Sequence, residues 1–272
     1  MRLRISILAC VVAVPVFAQQ RGVEMANLTW VEAEKALAGD PVVVIPLGAG
    51  SKEHGPHLRL DNDYQLAEYF KRRVLAASNV VVAPTITYHY YPAFLEYPGS
   101  THLRQETARD LVVDIVNSLT PYGPRRFYVL NTGVSTLVPL KASAEELAKA
   151  GVLMRYTDVL TIATTAEASV KQQPEGTHAD EIETSMMLYI APDRVDMSKA
   201  AKDISPREGG RGGLTRVQGR GVGRYSPTGI YGDATLATRE KGRVVVDAMV
   251  AGMLREIEEL RKAPLPPREP RP

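Results

Sequence analysis

Two short stretches concentrate the residue types that perform acid–base and metal chemistry. The first is Glu53-His54-Gly55-Pro56-His57, followed by Asp63. Pro56 disfavours the α region at Gly55, so the segment reads as a turn that can direct both imidazoles into one space. Neutral imidazole and carboxylate together suit a divalent transition metal. A second reading stays open at this point. Asp63 falls at or near a helix N-terminus, where its charge is favoured, and the histidines can be hydrogen-bonded loop residues without a metal.

The second stretch is Thr177-His178-Ala179-Asp180-Glu181-Ile182-Glu183-Thr184-Ser185. On a helix, Ala179 and Glu183 share a face, as do His178 and Ile182. The helix dipole alone accounts for Asp180 and Glu181 near a helix start. His178 follows a loop and is placed to enter a site as a general acid or base. The other two histidines, His89 and His102, flank a stretch rich in Tyr and Pro and are candidates for an added ligand.

The elements that must position these residues alternate between strand-like and helix-like, which predicts an α/β domain with a largely parallel sheet. Thr29 with Glu32 is a capping-box start for a helix through Leu37. Val42 to Ile45 is a continuous apolar run that fits a strand buried on both faces. After a loop from Gly48 to Leu60, Asp61 or Asn62 caps a helix to about Ala77. Asn79 to Pro84 reads as a strand. The loop from Pro84 to Ser100 is too long for a plain connector and is a candidate site wall. Glu106 to Leu119 reads as an amphipathic helix, Arg126 to Leu130 as a strand, Pro139 to Ala150 as a helix and Val152 to Asp158 as a strand. Helices follow at Ala179 to Ile190 and Gly242 to Lys262, with a glycine-rich, mobile loop from Glu208 to Gly223 between them. Ligands of open α/β sheets sit outside the carboxyl ends of strands, which is where the loops after Pro46, Pro84 and Leu130 fall.

The bulk numbers exclude some functions. The 272 residues are 44% hydrophobic and 24% charged, with a net charge of +2. Such a balance gives no electrostatic case for nucleic acid. The basic residues between Arg207 and Arg224 are interrupted by glycines and read as a solvated loop. Arg2 and Arg4, then an apolar run from Ile5 to Phe17, then Val16-Phe17-Ala18, read as a signal peptide over residues 1–18. Cleavage after Ala18 removes Cys10 and leaves a mature chain without cysteine, excluding disulfides and thiolate catalysis. An exported protein, periplasmic or secreted, is therefore expected. No other segment is long and apolar enough for a membrane span. One domain is expected over residues 19–262, followed by a proline-rich tail, 263–272, that cannot continue a helix.

Taken in order, several blocks resemble the creatininase family of metal-dependent amidohydrolases, which includes creatinine amidohydrolase and related deformylases. They are Pro46-Leu47-Gly48, His54-Gly55-Pro56-His57-Leu58 with Asp63, Tyr97-Pro98-Gly99-Ser100-Thr101 and the His178 to Ser185 stretch. Ser226-Pro227-Thr228-Gly229-Ile230-Tyr231-Gly232-Asp233 and Thr238-Arg239-Glu240-Lys241-Gly242 complete them. Their order and coverage carry the resemblance, where any single block would be weak. It implies a three-layer α/β sandwich with a mainly parallel central sheet, assembled as a homo-oligomer and often a hexamer. It also implies a two-metal site where a metal-activated water attacks an amide carbon of a small-molecule substrate. By the same resemblance, His54 matches a metal-ligand histidine and Asp63 the aspartate that bridges the two ions. His178 matches a catalytic histidine, and Glu183 a motif residue with no assigned role.

The chain departs from the family pattern at two places. Lys52 stands where the family has a ligand glutamate, and an ammonium has no lone pair for a metal. Gly133, in Asn131-Thr132-Gly133, stands where the family has a ligand histidine. The neighbouring Glu53 is expected to point elsewhere. Three outcomes follow. One divalent ion (Zn, Mn or Fe) survives, fewer than the family's two, held by His54, Asp63 and a group such as His178. Alternatively, Lys52 stands in for the missing cation in a metal-free site. Finally, the fold is reused for binding. The first ranks highest: an exported hydrolase of C–N bonds in small amides or cyclic amides, with His178, Lys52 and Glu183 as catalytic residues. The alternative is a metal-free or inactive small-molecule-binding protein.

Overall fold

The structure is a computed structural model that describes residues 21–204, 213–217 and 224–268. Five parallel strands form the central sheet: β1 (Val23–Glu24), β2 (Val42–Leu47), β3 (Val81–Val82), β4 (Arg126–Asn131) and β5 (Leu153–Tyr156). Their spatial order is β1-β3-β2-β4-β5. Every residue of β2 is buried, as the unbroken apolar run predicts for a strand covered on both faces.

Strand periodicity divides the core into two layers. Val42, Val44, Val82, Tyr128 and Leu130 face one cluster, while Val43, Ile45, Val81, Phe127 and Val129 face the other. Successive strand side chains point to opposite faces, so a helix layer is needed on each side. Helices α2 (Asn62–Ala77), α6 (Glu181–Ile190) and α7 (Arg239–Lys262) supply Phe70, Met187 and Met253, among others, to the first cluster. Helices α3 (Gln105–Leu119) and α4 (Leu137–Lys149) supply Val112, Val116 and Leu140 to the second. The three-layer sandwich is thus the expected one. Helix α1 (Trp30–Leu37) starts on the expected capping box, Thr29 with Glu32, and a short α5 (Thr164–Val170), not foreseen in the sequence, precedes α6.

Some boundaries differ from the sequence reading. The β3 ladder covers two residues, Val81–Val82, rather than Asn79 to Pro84, pairing with β1 on one side and with Val43 and Val44 of β2 on the other. Helix α6 begins at Glu181, since Ala179 has φ +48° and Asp180 is the extended N-cap. Asp61 precedes α2 but makes no side-chain cap; its carboxylate is bound to Arg194 instead. Residues 1–18 lie outside the described residues, as do 269–272 and most of the glycine-rich loop. Among the described residues, no helix is long and apolar enough to cross a membrane.

Candidate active site

Three loops at the carboxyl ends of β2, β3 and β4 meet the N-terminus of α6, the location that parallel-sheet folds favour for ligands. The loop after β2 carries Lys52, Glu53 and His54, and turns at Gly55, whose φ of +71° suits glycine. The first residues of α2 bring Asn62 and Asp63 beneath it. The long loop after β3 forms a wall, as its length suggested, with Tyr90 and Phe94 facing a cavity of about 770 Å³. Lys52, Ser135, His178 and Glu183 line the same cavity.

At the centre, Asp63 is held from two sides. Its Oδ1 lies 2.8 Å from His54 Nε2. Its Oδ2 lies 2.7 Å from Lys52 Nζ in an ion pair rather than a directed hydrogen bond. His54 Nδ1 donates to the Lys52 carbonyl at 2.8 Å, which fixes the ring and aims Nε2 inward. The same Nε2 lies 3.3 Å from Glu183 Oε1. Glu183 is itself clamped: Oε1 accepts from Asn62 Nδ2 at 3.0 Å and Oε2 from the Ala179 N–H at 2.6 Å. That second bond uses the left-handed backbone of Ala179, a conformation that costs a non-glycine residue roughly 1–2 kcal/mol.

His178 enters from the opposite side. Its ring packs 4.4 Å from the Phe94 centroid and 5.2 Å from that of His54. Nε2 lies 3.0 Å from Glu53 Oε2, and Nδ1 lies 3.8 Å from Glu183 Oε2. Backbone hydrogen bonds in both directions between His178 and Tyr231 anchor the segment. One donor atom from each of His54, His178 and Glu183 falls within 4.8 Å of the others.

Opposing forces act on these charges. Burial works against a charged His54, as does Lys52, but the carboxylates of Asp63 and Glu183 outweigh both and raise its pKa to about 9. Burial would raise the carboxyl of Asp63; Lys52 and His54 nevertheless hold it below its ordinary value. Glu183 is likewise held well below the usual carboxylate range against its burial, chiefly by His54.

The structure thus brings His54, Asp63, Lys52, His178 and Glu183 into one cluster. It separates others. His57 turns to Thr184, with Nε2 2.8 Å from Oγ1, so the two imidazoles of the turn do not converge on the cluster. His89 is wholly buried, and burial lowers its pKa to about 4. His102 accepts from the Tyr91 N–H. Neither joins the ligand group. Glu53 corrects the sequence reading: its side chain points at His178, not away. Asn62 and Phe94 were not foreseen as site residues, although a helix-start position and a long aromatic loop had marked their segments. Gly133, where the resemblance expects a ligand histidine, sits in a closed turn. Asn131 bonds both the N–H and the carbonyl of Gly133, and Thr136 Oγ1 reaches the same carbonyl at 2.7 Å.

A three-layer parallel α/β fold with imidazoles and carboxylates converging at the strand ends defines the class: an α/β protein with a metal-ligand type of site. The family is shown by comparison. The model of the creatininase family, creatinine amidohydrolase, matches residues 26–257, and the chain belongs to that family. It is 28% identical over 263 residues to creatinine amidohydrolase of Pseudomonas putida, covering 88% of this chain and 97% of that one. It is 29% identical over 219 residues to the mycofactocin precursor peptide peptidase of Mycolicibacterium smegmatis, covering 78% of this chain and 82% of that one. The solved structure "Creatininase Mn" matches with a TM-score of 0.71 at 26% identity, covering 89% of this chain and all of that one.

Proposed function

We propose that this chain is an exported hydrolase of the C–N bond in a small amide or cyclic amide, using one divalent ion (Zn, Mn or Fe). The observation that carries the reading is the convergence of His54, His178 and Glu183 within 4.8 Å, with His178 and Glu183 lining the cavity and His54 buried behind them. Two imidazoles and a carboxylate form a donor set that suits zinc in hydrolases. The two-ion centre of the resemblance does not fit the residues present. Lys52 and Gly133 stand at two ligand positions, and the Lys52 ammonium already occupies one side of Asp63. A single ion held by His54, His178 and Glu183 fits. When bound, it supplies Lewis acidity that polarises an amide carbonyl and acidifies water.

The chain's own groups do the rest. Asn62 and the Ala179 N–H orient Glu183. The Lys52 carbonyl orients His54. Lys52 Nζ faces the cavity 4.9 Å from the Phe94 centroid and is placed to donate to negative charge developing on a substrate oxygen. The P. putida relative is named for an amide substrate and the M. smegmatis relative for a peptide, which supports a C–N bond as the target. The test is metal analysis of the purified protein, combined with release of amine or ammonia from a panel of small amides, cyclic amides and short peptides. Bound metal with turnover of one class supports the reading. Absence of both refutes it.

One observation favours a second reading, a metal-free binding protein on the same fold. Lys52 already compensates the charge of Asp63 without any ion. No thermal shift on adding Zn²⁺ or Mn²⁺ would select it. Export rests on residues 1–18, and the N-terminal residue of the mature protein tests it. Assembly as a homo-oligomer, with a hexamer as the expected form, rests on the family resemblance and is tested by sedimentation.

A further inference from the structure

We infer that Glu53 is a positioning residue for His178: it dictates which ring nitrogen faces the cluster of His54 and Glu183. The consequence for metal binding rests on the one-ion reading above, while the geometry stands without it.

Glu53 is buried, and its N–H and both carboxylate oxygens are engaged. Oε1 accepts the Gly55 N–H, and Oε2 lies 3.0 Å from His178 Nε2. Its own N–H donates to Ser100 Oγ at 3.0 Å. Behind it stands Gly229, with φ +79°, where an added Cβ would run into the Glu53 carboxylate. Its own turn at Gly55, the His178 segment and the close approach of Gly229 therefore fix this carboxylate at the back of the His178 ring.

An ionised carboxylate only accepts hydrogen bonds. Nε2 of His178 must then carry the hydrogen, and the neutral ring keeps its lone pair on Nδ1. Nδ1 is the nitrogen on the Glu183 side, 3.8 Å from Oε2. Packing of the ring on Phe94 at 4.4 Å opposes a rotation that would carry Nε2 away from Glu53. A carboxylate on the far nitrogen of an imidazole is how ligand histidines are oriented and made more basic. Glu53 is 125 positions from His178 in sequence, and no chemistry at Glu53 itself is required.

A purely structural Glu53, serving only to seat the Gly55 turn, makes a different prediction for Glu53→Gln. Glutamine keeps a carbonyl for the Gly55 N–H and turns its NH₂ toward Nε2. That nitrogen must then accept, moving the His178 hydrogen to Nδ1. The experiment is ¹⁵N NMR of histidine-labelled, metal-free protein, with His178 assigned by its loss in His178→Gln. Zn²⁺ titration of wild type and Glu53→Gln follows. The expected result is an Nε2–H tautomer in wild type, an Nδ1–H tautomer in Glu53→Gln, and a Zn²⁺ Kd weakened about 10- to 100-fold. A wild-type ring carrying its hydrogen on Nδ1 overturns the proposal, and it does so even if Glu53→Gln fails to fold. A folded Glu53→Gln with unchanged tautomer and unchanged Zn²⁺ affinity also overturns it. A wild type that shows the Nε2–H tautomer but binds no Zn²⁺ defeats the one-ion reading and leaves the positioning role supported.

Discussion

Lys52 Nζ lies 2.7 Å from Asp63 Oδ2, with both side chains buried. The resemblance puts a ligand carboxylate at the first of these positions; here an ammonium stands there and pairs with Asp63. A buried pair of this kind is costly to break from one side, because the remaining charge loses its partner.

Lys52→Met therefore costs stability. His54 still contacts Asp63, so the loss is expected at the low end of the range for such pairs, about 3 kcal/mol by urea unfolding. Adding Asp63→Asn should recover part of it, since the orphaned charge is then gone. A Lys52→Met protein as stable as wild type would show that the pair contributes nothing to the fold.

His54→Ala removes a central donor of the His54, His178 and Glu183 group. Metal content measured on the purified variant is expected to fall to background. In wild type, chelation should lower Tm, and saturating Zn²⁺ at 100 times Kd should add about 2.7 kcal/mol of stability. Full metal occupancy in His54→Ala would refute the ligand assignment.

The pH dependence of the metal-free protein has a worked sign on its alkaline side. Against its burial, His54 is raised from 6.5 to about 9 by Asp63 and Glu183. The folded state then binds the proton more tightly than the unfolded chain does. The stabilisation is complete below pH 6.5 and is lost as pH rises through about 9. Denaturation midpoints at pH 6.5, 8 and 9.5 read the slope, and His54→Gln should flatten it.

The acidic side carries the opposite sign. Burial lowers His57 and His89 from 6.5 to about 4. The unfolded chain takes up these protons first, so stability falls progressively as pH drops from 6.5 toward 4. His89→Phe should remove part of this acid sensitivity. An unchanged acid limb in that variant would show that His89 does not titrate on unfolding.

Gly229→Ala places a Cβ against the Glu53 carboxylate at a backbone φ of +79°. The conformation alone costs an alanine about 1–2 kcal/mol. A lower Tm is expected by calorimetry, accompanied by weaker Zn²⁺ binding as Glu53 is displaced from His178. Loss of Tm with metal affinity intact would separate the two effects.

Local chemistry made much of the fold legible. The unbroken apolar run of β2 announced a strand covered on both faces, and Thr29 with Glu32 announced the start of α1; both signals arise within a few residues. The start of α6 was missed by two residues because Ala179 adopts a left-handed conformation that its residue type does not advertise. The closeness of His54 and Asp63 was legible because imidazole and carboxylate occur near each other after a strand. Glu53 was misread: neighbours in sequence gave no sign of a partner on another loop.

The sequence by itself determined the alternating core, the family, and that Lys52 brings an ammonium and Gly133 no side chain, since residue identity settles which groups have lone pairs to offer. Only the tertiary structure decided that Lys52 turns its ammonium onto Asp63, that His57 leaves the cluster for Thr184, and that Glu53 sits behind His178. Those contacts join segments separated by long stretches of chain. Their geometry is set by how the loops after β2 and β3 pack against the start of α6, not by the spacing of residues along any one of them.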